Sequence, residues 1–147
     1  TLLAGEFGGL VAPSRVHTPL LGLDLRSRGA AQTELSLKPD FEHGLMMLSG
    51  EAQIDGEVLA PGELLYLGIG RAGVRIACTE ACQLLLIGGE PFKESVLLWW
   101  NFVARTQDEI AQATQDWNSG DRFGEVRGYR GNRLTAPDIS GLHLRGG

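Results

Sequence analysis

The chain has 147 residues, a net charge of −5, and 43% hydrophobic against 21% charged residues. That is about one domain, long enough to bury a core without staples, and the acidic balance excludes a body built to bind nucleic acid. No apolar run approaches the ~20 residues of a membrane-spanning helix, and no signal peptide is legible. The chain starts at Thr1, which reads as a processed start or as a piece of a longer chain.

Taken in order, the chain alternates with a period of two. Leu21, Leu23 and Leu25 are separated by Gly22 and Asp24, and Leu35 and Leu37 alternate with Glu34, Ser36 and Lys38. Each set gives a half-buried strand one inward face. Leu45 to Leu48 is a short apolar run closed by Ser49-Gly50. Ala52–Ile54, Asp55-Gly56 and Glu57–Leu59 predict a hairpin, since Asp-Gly accepts the positive φ of a type I′ turn. Pro61-Gly62 marks a further turn before a strand over 64–67. Val74, Ile76 and Cys78 alternate again, 84–87 is wholly apolar, and 96–103 reads as one last strand. About eight or nine short strands with closely spaced turn signals predict an all-β antiparallel sandwich or small barrel.

One helix is predicted. Thr106-Gln107-Asp108-Glu109 is a capping box. Ile110, Ala113 and Trp117 follow as one apolar stripe, and Gly120 stops the helix. It is expected to lie outside, against the barrel wall, with Trp117 as anchor. The reading divides the chain into a barrel plus helix over 1–124 and an extended basic tail over 125–147. The tail holds four arginines against Glu125 and Asp138, a net +2, so the rest carries −7. Such a strip is expected to pack on an acidic face of its own or a partner domain, with a nucleic-acid arm as the other reading. Cys78 and Cys82 are the only cysteines. Their spacing is neither a redox pair nor half of a zinc site, and two free thiols suit a reducing cytoplasm.

Leu86-Ile87-Gly88-Gly89-Glu90-Pro91, then Trp100-Asn101-Phe102-Val103, the helix ending at Asp116-Trp117 and Arg122-Phe123-Gly124 resemble the C-terminal half of the pirin family. Thr1–Glu6, Val16-His17-Thr18-Pro19 with Leu23-Asp24, and Leu48-Ser49-Gly50-Glu51 extend the resemblance over nearly the whole chain. Pirins are bicupins, two jelly-roll barrels face to face in a chain about twice this long. The resemblance implies a cupin-type antiparallel jelly-roll barrel here, with the first barrel outside this chain. It also implies iron or manganese in that other barrel and none in this one, a link to the oxygenolytic cleavage of flavonols such as quercetin, and regulation through partner proteins.

Cupins hold their metal with two His and a Glu from one motif and a third His from a second. If Gly50 closes the first motif, its Glu position falls on His43 and its two His positions on Leu37 and Pro39, or on Ser36 and Lys38. With Gly62 opening the second motif, the last His position falls on Gly73. His43 is therefore the only residue left at a ligand position, and one imidazole cannot hold a catalytic metal. A histidine near the barrel mouth, bonded to a backbone carbonyl, is the expectation for it. No phosphate loop or nucleophile elbow is legible, and His17 could at most serve as a general base.

Two functions follow. The first is a non-catalytic, metal-free module that packs beside a metal-bearing N-terminal cupin, or beside a second copy of itself, and offers a surface to regulatory proteins. Trp99, Trp100, Arg130 and Arg133 are its candidate interface residues. The second is a small-molecule-binding or oxygenase barrel in its own right, with a mouth pocket formed by His43, Tyr66, Arg71 and Met46 or Met47. A filled interior favours the first, and an open cavity with His43 and Arg71 converging favours the second.

Overall fold

A computed structural model describes residues 1–120, 122–125 and 127–146. Asp121, in the predicted closing motif, and Val126 and Gly147, in the predicted tail, lie outside the described residues. The chain divides into two units, Thr1–Pro91 and Phe92–Gly147.

The first unit is all β. Its strands are β1 (Leu2–Phe7), β2 (Leu10–Val11), β3 (Leu20–Ser27), β4 (Ala31–Ser36), β5 (Glu42–Ser49), β6 (Ala52–Ile54), β7 (Glu57–Leu59), β8 (Leu64–Gly68), β9 (Gly73–Cys78) and β10 (Cys82–Gly89). They form a six-stranded sheet in the order β2-β1-β3-β10-β5-β8 and a four-stranded sheet in the order β4-β9-β6-β7. Every pairing is antiparallel. The inward side chains of both sheets meet in one core, with Leu45, Met47 and Leu86 of the larger sheet against Ile54 and Val74 of the smaller. This is the predicted jelly roll. Its cause is the period-two pattern, which gives each strand one apolar face to bury.

The predicted turns are where they were expected. Asp55 and Gly56 have φ of 51° and 94°, the paired left-handed conformation of a two-residue hairpin loop. The Asp55 carboxylate also accepts from the Arg75 backbone N–H at 3.0 Å and pairs with Arg71 at 2.7 Å, which ties the hairpin tip to β9 and to the loop before it.

The second unit corrects one expectation. Residues 96–103 are not one strand but a hairpin, β11 (Leu97–Trp99) and β12 (Phe102–Ala104), paired through Trp99 and Phe102. Trp100 sits in the connecting turn at φ 51°, a conformation that bulky residues adopt only when neighbours hold it there. Apolar periodicity alone cannot show this turn, because the two strands have no Gly or Pro between them. Trp99 and Trp100 therefore do not face opposite sides of one strand.

The helix, α1, runs from Gln107 to Ser119, and its capping box is present in full. The Glu109 N–H donates to the Thr106 hydroxyl at 3.2 Å, and the Thr106 N–H donates back to the Glu109 carboxylate at 3.3 Å. Gly120 closes it at φ 94°. Trp117 is its anchor, with ring centroids 5.3 Å from Trp100 and 5.4 Å from Phe123.

Among its described residues the tail has no helix or strand, and it is held along α1. The Asn118 amide donates to the Ala136 carbonyl at 3.2 Å and accepts from the Ala136 N–H at 2.9 Å. Gln107, three turns earlier, makes the same double contact with Leu142 and Leu144. Between them Ala136, Ile139 and Leu144 pack with Ile110. Two side-chain amides thus pair with the tail backbone as a neighbouring strand would. Of the tail arginines named as interface residues, Arg133 stacks over Trp117 at 4.6 Å and Arg130 is exposed.

Asn118→Ala removes both hydrogen bonds at Ala136 and should cost the unit about 1–3 kcal/mol locally. Amide exchange at Ala136 and tryptic cleavage after Arg133 should both accelerate, while Arg130→Ala should change neither. Unchanged exchange in Asn118→Ala would mean that the amide clamp does not hold the tail.

Candidate functional site

The residues read as ligand positions lie on or beside β5, and strand alternation decides where each points. His43, Leu45 and Met47 face the core, while Glu42, Met46 and Leu48 face outward. His43 is 1% exposed. It pairs with Gly88 on β10 and with Gly68 on β8, so a glycine stands on either side of the imidazole. Gly88 is required there. A Cβ at that position would lie 2.6 Å from His43 Cδ2 and 2.8 Å from the Glu42 carbonyl oxygen. The Phe41 ring centroid is 6.0 Å from that of His43, tilted by 31°.

This environment corrects the expected place at the barrel mouth, since His43 lies in the core beside the Phe41 backbone. Neither ring nitrogen has a hydrogen-bond partner among the described residues. Burial pushes the His43 pKa below its ordinary value of 6.5, with the Phe41 backbone and the Asp40 charge pulling weakly the other way. An unpaired buried imidazole keeps its neutral form because the charged form has nothing to replace its lost water.

The other ligand positions offer no partner donors. Leu37 is buried, Ser36, Lys38 and Pro39 are exposed, and Gly73 has no side chain. Among the described residues no group of three or more His, Cys, Asp or Glu side chains could hold a metal ion. The residues present therefore do not fit the iron or manganese of a cupin centre, which needs several imidazole or carboxylate ligands converging.

The four residues expected to line a mouth pocket are not brought together. His43 is in the core. Met46 and Tyr66 lie on the outer face of the six-stranded sheet, one strand apart. The Glu42 carboxylate beside the Tyr66 phenol raises the phenol's pKa above 10.0. Arg71 is engaged elsewhere, donating to the Leu67 carbonyl at 3.2 Å and to the Asp55 carboxylate at 2.7 Å. Met47, the alternative to Met46, is fully buried in the core. Beside Phe41 opens a cleft of about 410 Å³, lined by Phe7, Leu21, Leu37 and Phe41 with Glu34 and Lys38, and His43 does not line it. The Lys38 ammonium lies 5.1 Å from the Phe41 ring centroid. Sequence reading missed this cleft because its lining comes from three separate strands and a loop.

The thiols supply no ready nucleophile. Cys78 and Cys82 are free and buried. The Cys82 pKa is pushed up to about 11 by burial and by its hydrogen bond with Cys78, so this thiol stays protonated at neutral pH. His17 and His143 are exposed. No helix among the described residues is long and apolar enough to cross a membrane.

Comparison with known proteins gives one consistent result. The model of the Pirin C-terminal cupin domain matches residues 22–124. A Pseudomonas aeruginosa protein provisionally named a quercetin 2,3-dioxygenase is 45% identical over 95% of this chain and 44% of its own length. A pirin-like protein of Solanum lycopersicum is 29% identical over 82% of this chain and 43% of its own length. A solved structure of quercetin 2,3-dioxygenase from Acinetobacter baumannii superposes with a TM-score of 0.86 at 41% identity, covering 97% of this chain and 48% of that one. The chain thus spans about half the length of the relatives it matches.

The buried imidazole makes a signed prediction. Above about pH 6.5 His43 is neutral in both the folded and unfolded chain, so its titration adds no pH dependence there. Below that value the unfolded chain takes up a proton that the folded site resists, so stability falls as pH falls, down to the depressed folded pKa. His43→Leu should remove this part of the pH dependence. It should also raise the melting temperature at neutral pH, because it deletes two unpaired buried nitrogens that cost about 1–3 kcal/mol each when unsatisfied. Melts of both proteins at pH 7.5 and 5.0 check this. An equal acid loss in the two would exonerate His43.

Proposed function

The chain belongs to the Pirin C-terminal cupin domain family, and on that premise we propose that it is a non-catalytic, metal-free cupin module. Its work is to pack beside a metal-bearing cupin barrel, to shape that barrel's surroundings, and to offer a surface to regulatory proteins. The donor set carries this reading: Leu37 and Pro39, or Ser36 and Lys38, stand at the first motif's His positions and Gly73 at the second's. The one remaining imidazole is buried, with Gly88 of the neighbouring strand and Phe41 beside it. Its lone pairs face protein and not an open coordination position, which a catalytic metal requires. The free thiols of Cys78 and Cys82 suit a reducing, cytoplasmic setting.

Two relatives are named quercetin 2,3-dioxygenases, one of them provisionally, and this supports a second reading in which the whole protein cleaves flavonols. That reaction is assigned here to a metal-bearing barrel other than this one. The 410 Å³ cleft beside Phe41 has the apolar walls that a ring could contact, but no converging donors to activate oxygen.

Metal content tests the metal-free reading of this barrel. After anaerobic incubation with ferrous iron or manganese and desalting, the chain should retain below about a tenth of an equivalent by elemental mass spectrometry. Retention of about one equivalent, lost in His43→Ala, would make this barrel a metal centre and end the non-catalytic reading.

A further inference from the structure

One corner of the jelly roll holds both cysteines of the chain. Two connections cross there from one sheet to the other. The first leaves β3 at Ser27 and enters β4 at Ala31, and the second leaves β9 at Cys78 and enters β10 at Cys82. They run side by side, because Cys82 pairs with Ser27 and Cys78 with Ala31. Strand alternation turns both thiols inward, Cys78 on the row of Val74 and Ile76 and Cys82 on the row of Leu84 and Leu86. The sulfurs therefore come from opposite sheets and meet across the corner, in hydrogen-bonding contact. The spacing of the two cysteines along the chain is not that of a redox motif, but the corner supplies the closeness that the spacing does not.

The pair is both held and reachable. Gly50 packs against the second connection, where a Cβ would lie 2.5 Å from the Ala81 carbonyl oxygen and 2.9 Å from Cys82 Cβ. The Cys78 S–H donates to the Gly29 carbonyl at 3.5 Å, and the Ser27 hydroxyl donates to the same oxygen at 2.5 Å. A cleft of about 240 Å³ is lined by both cysteines together with Leu25, Thr33, Ile76 and Leu84. Cys78 is 9% and Cys82 6% exposed, so neither sulfur is sealed off. Apolar walls admit a small neutral molecule more readily than an ion. Among the described residues no third His, Cys, Asp or Glu joins the two thiols, so a metal ion is not what this corner fits.

We propose that Cys78 and Cys82 are a peroxide-reactive pair that closes a reversible disulfide between the two sheets. One sulfur takes an oxygen atom from a hydroperoxide and becomes a sulfenic acid, while the rest of the peroxide leaves as water or an alcohol. The second thiol then attacks that sulfur. The S–S bond forms, and the sulfenic oxygen leaves as water with the second thiol's proton. Two hydrogens and two electrons thus pass from the thiols to one peroxide. Burial keeps the Cys82 thiol protonated, so closure is slow and answers sustained exposure to the oxidant. The disulfide forfeits the Cys78 S–H donor and leaves the Gly29 carbonyl to the Ser27 hydroxyl. This oxidation site goes beyond the proposed function and does not depend on it.

Treating the whole chain with excess hydrogen peroxide tests it, with thiols titrated in denaturant and masses read after trypsin. The free thiols should fall from two per chain to none. Tryptic peptide 76–93, which holds both cysteines and no methionine, should become about 2 Da lighter. Dithiothreitol should restore both thiols and the mass, and no disulfide-linked dimer should appear on a non-reducing gel. The rate should stay flat up to about 1 M urea, because the oxidant enters through the cleft of the folded chain. Cys78→Ala and Cys82→Ala should each lose the lighter product and give a peptide about 32 Da heavier, the sulfinic acid of a sulfur without a partner. The wild-type masses need no variant, so an unstable substitution leaves the test intact. Two thiols persisting in excess peroxide would overturn the proposal. So would a sulfinic product in the wild type, a disulfide between chains, or a rate that climbs steeply with urea.

Discussion

The register between β5 and β10 is the constraint on which the rest depends. Antiparallel pairing of Leu86 with Leu45 and Gly88 with His43 puts the apolar set of both strands into the core at once. A slip of one residue would turn His43, Leu45 and Met47 out to solvent and bring Glu42 and Met46 in. Gly88 helps to pin that register, because only a glycine fits where the imidazole lies against the neighbouring strand. The same pairing fixes the outward row of Met46, Leu85 and Ile87. One register thus sets the filled interior, the buried histidine and the apolar outer face.

A filled interior and the lack of a converging donor set among the described residues go together. A cupin centre needs imidazoles and carboxylates aimed at a common point, and that point must stay open to substrate. Here Leu37 turns inward at one such position, and Gly73 contributes nothing at another. His43 remains without a converging partner, and its cost is borne by a core that is otherwise fully apolar around it. The pKa shift follows from that burial, and it makes the imidazole a liability in acid and not a catalyst.

The second unit solves a different problem. A short hairpin and one helix cannot bury enough surface by themselves. The tail supplies the third layer, with Ala136, Ile139 and Leu144 against Ile110. Gln107 and Asn118 satisfy its backbone groups, which would otherwise lie unpaired on the helix. The aromatic group of Trp100, Phe102, Trp117 and Phe123 closes the other side with edge-on and stacked contacts. The basic residues of the tail, prominent in the sequence, do little of this, apart from Arg133 over Trp117.

By itself the sequence determined the local structure. Period-two alternation, Asp55-Gly56 and the Thr106–Glu109 capping box are short-range signals, and each is decided by neighbours two to four residues away. The pirin resemblance and the empty ligand positions were legible for the same reason, since they are patterns along the chain. Tertiary structure alone decided what those residues meet. Asn101 is the one local turn signal at Trp100, and the Trp117 ring that packs on Trp100 comes from across the unit. Nothing near His43 shows that Gly88 of another strand will lie against its ring. Met46 and Tyr66 read as pocket residues until the β5–β8 pairing turned both to the outside. Such contacts arise between strands far apart in sequence, where burial is shared among partners that no local pattern records.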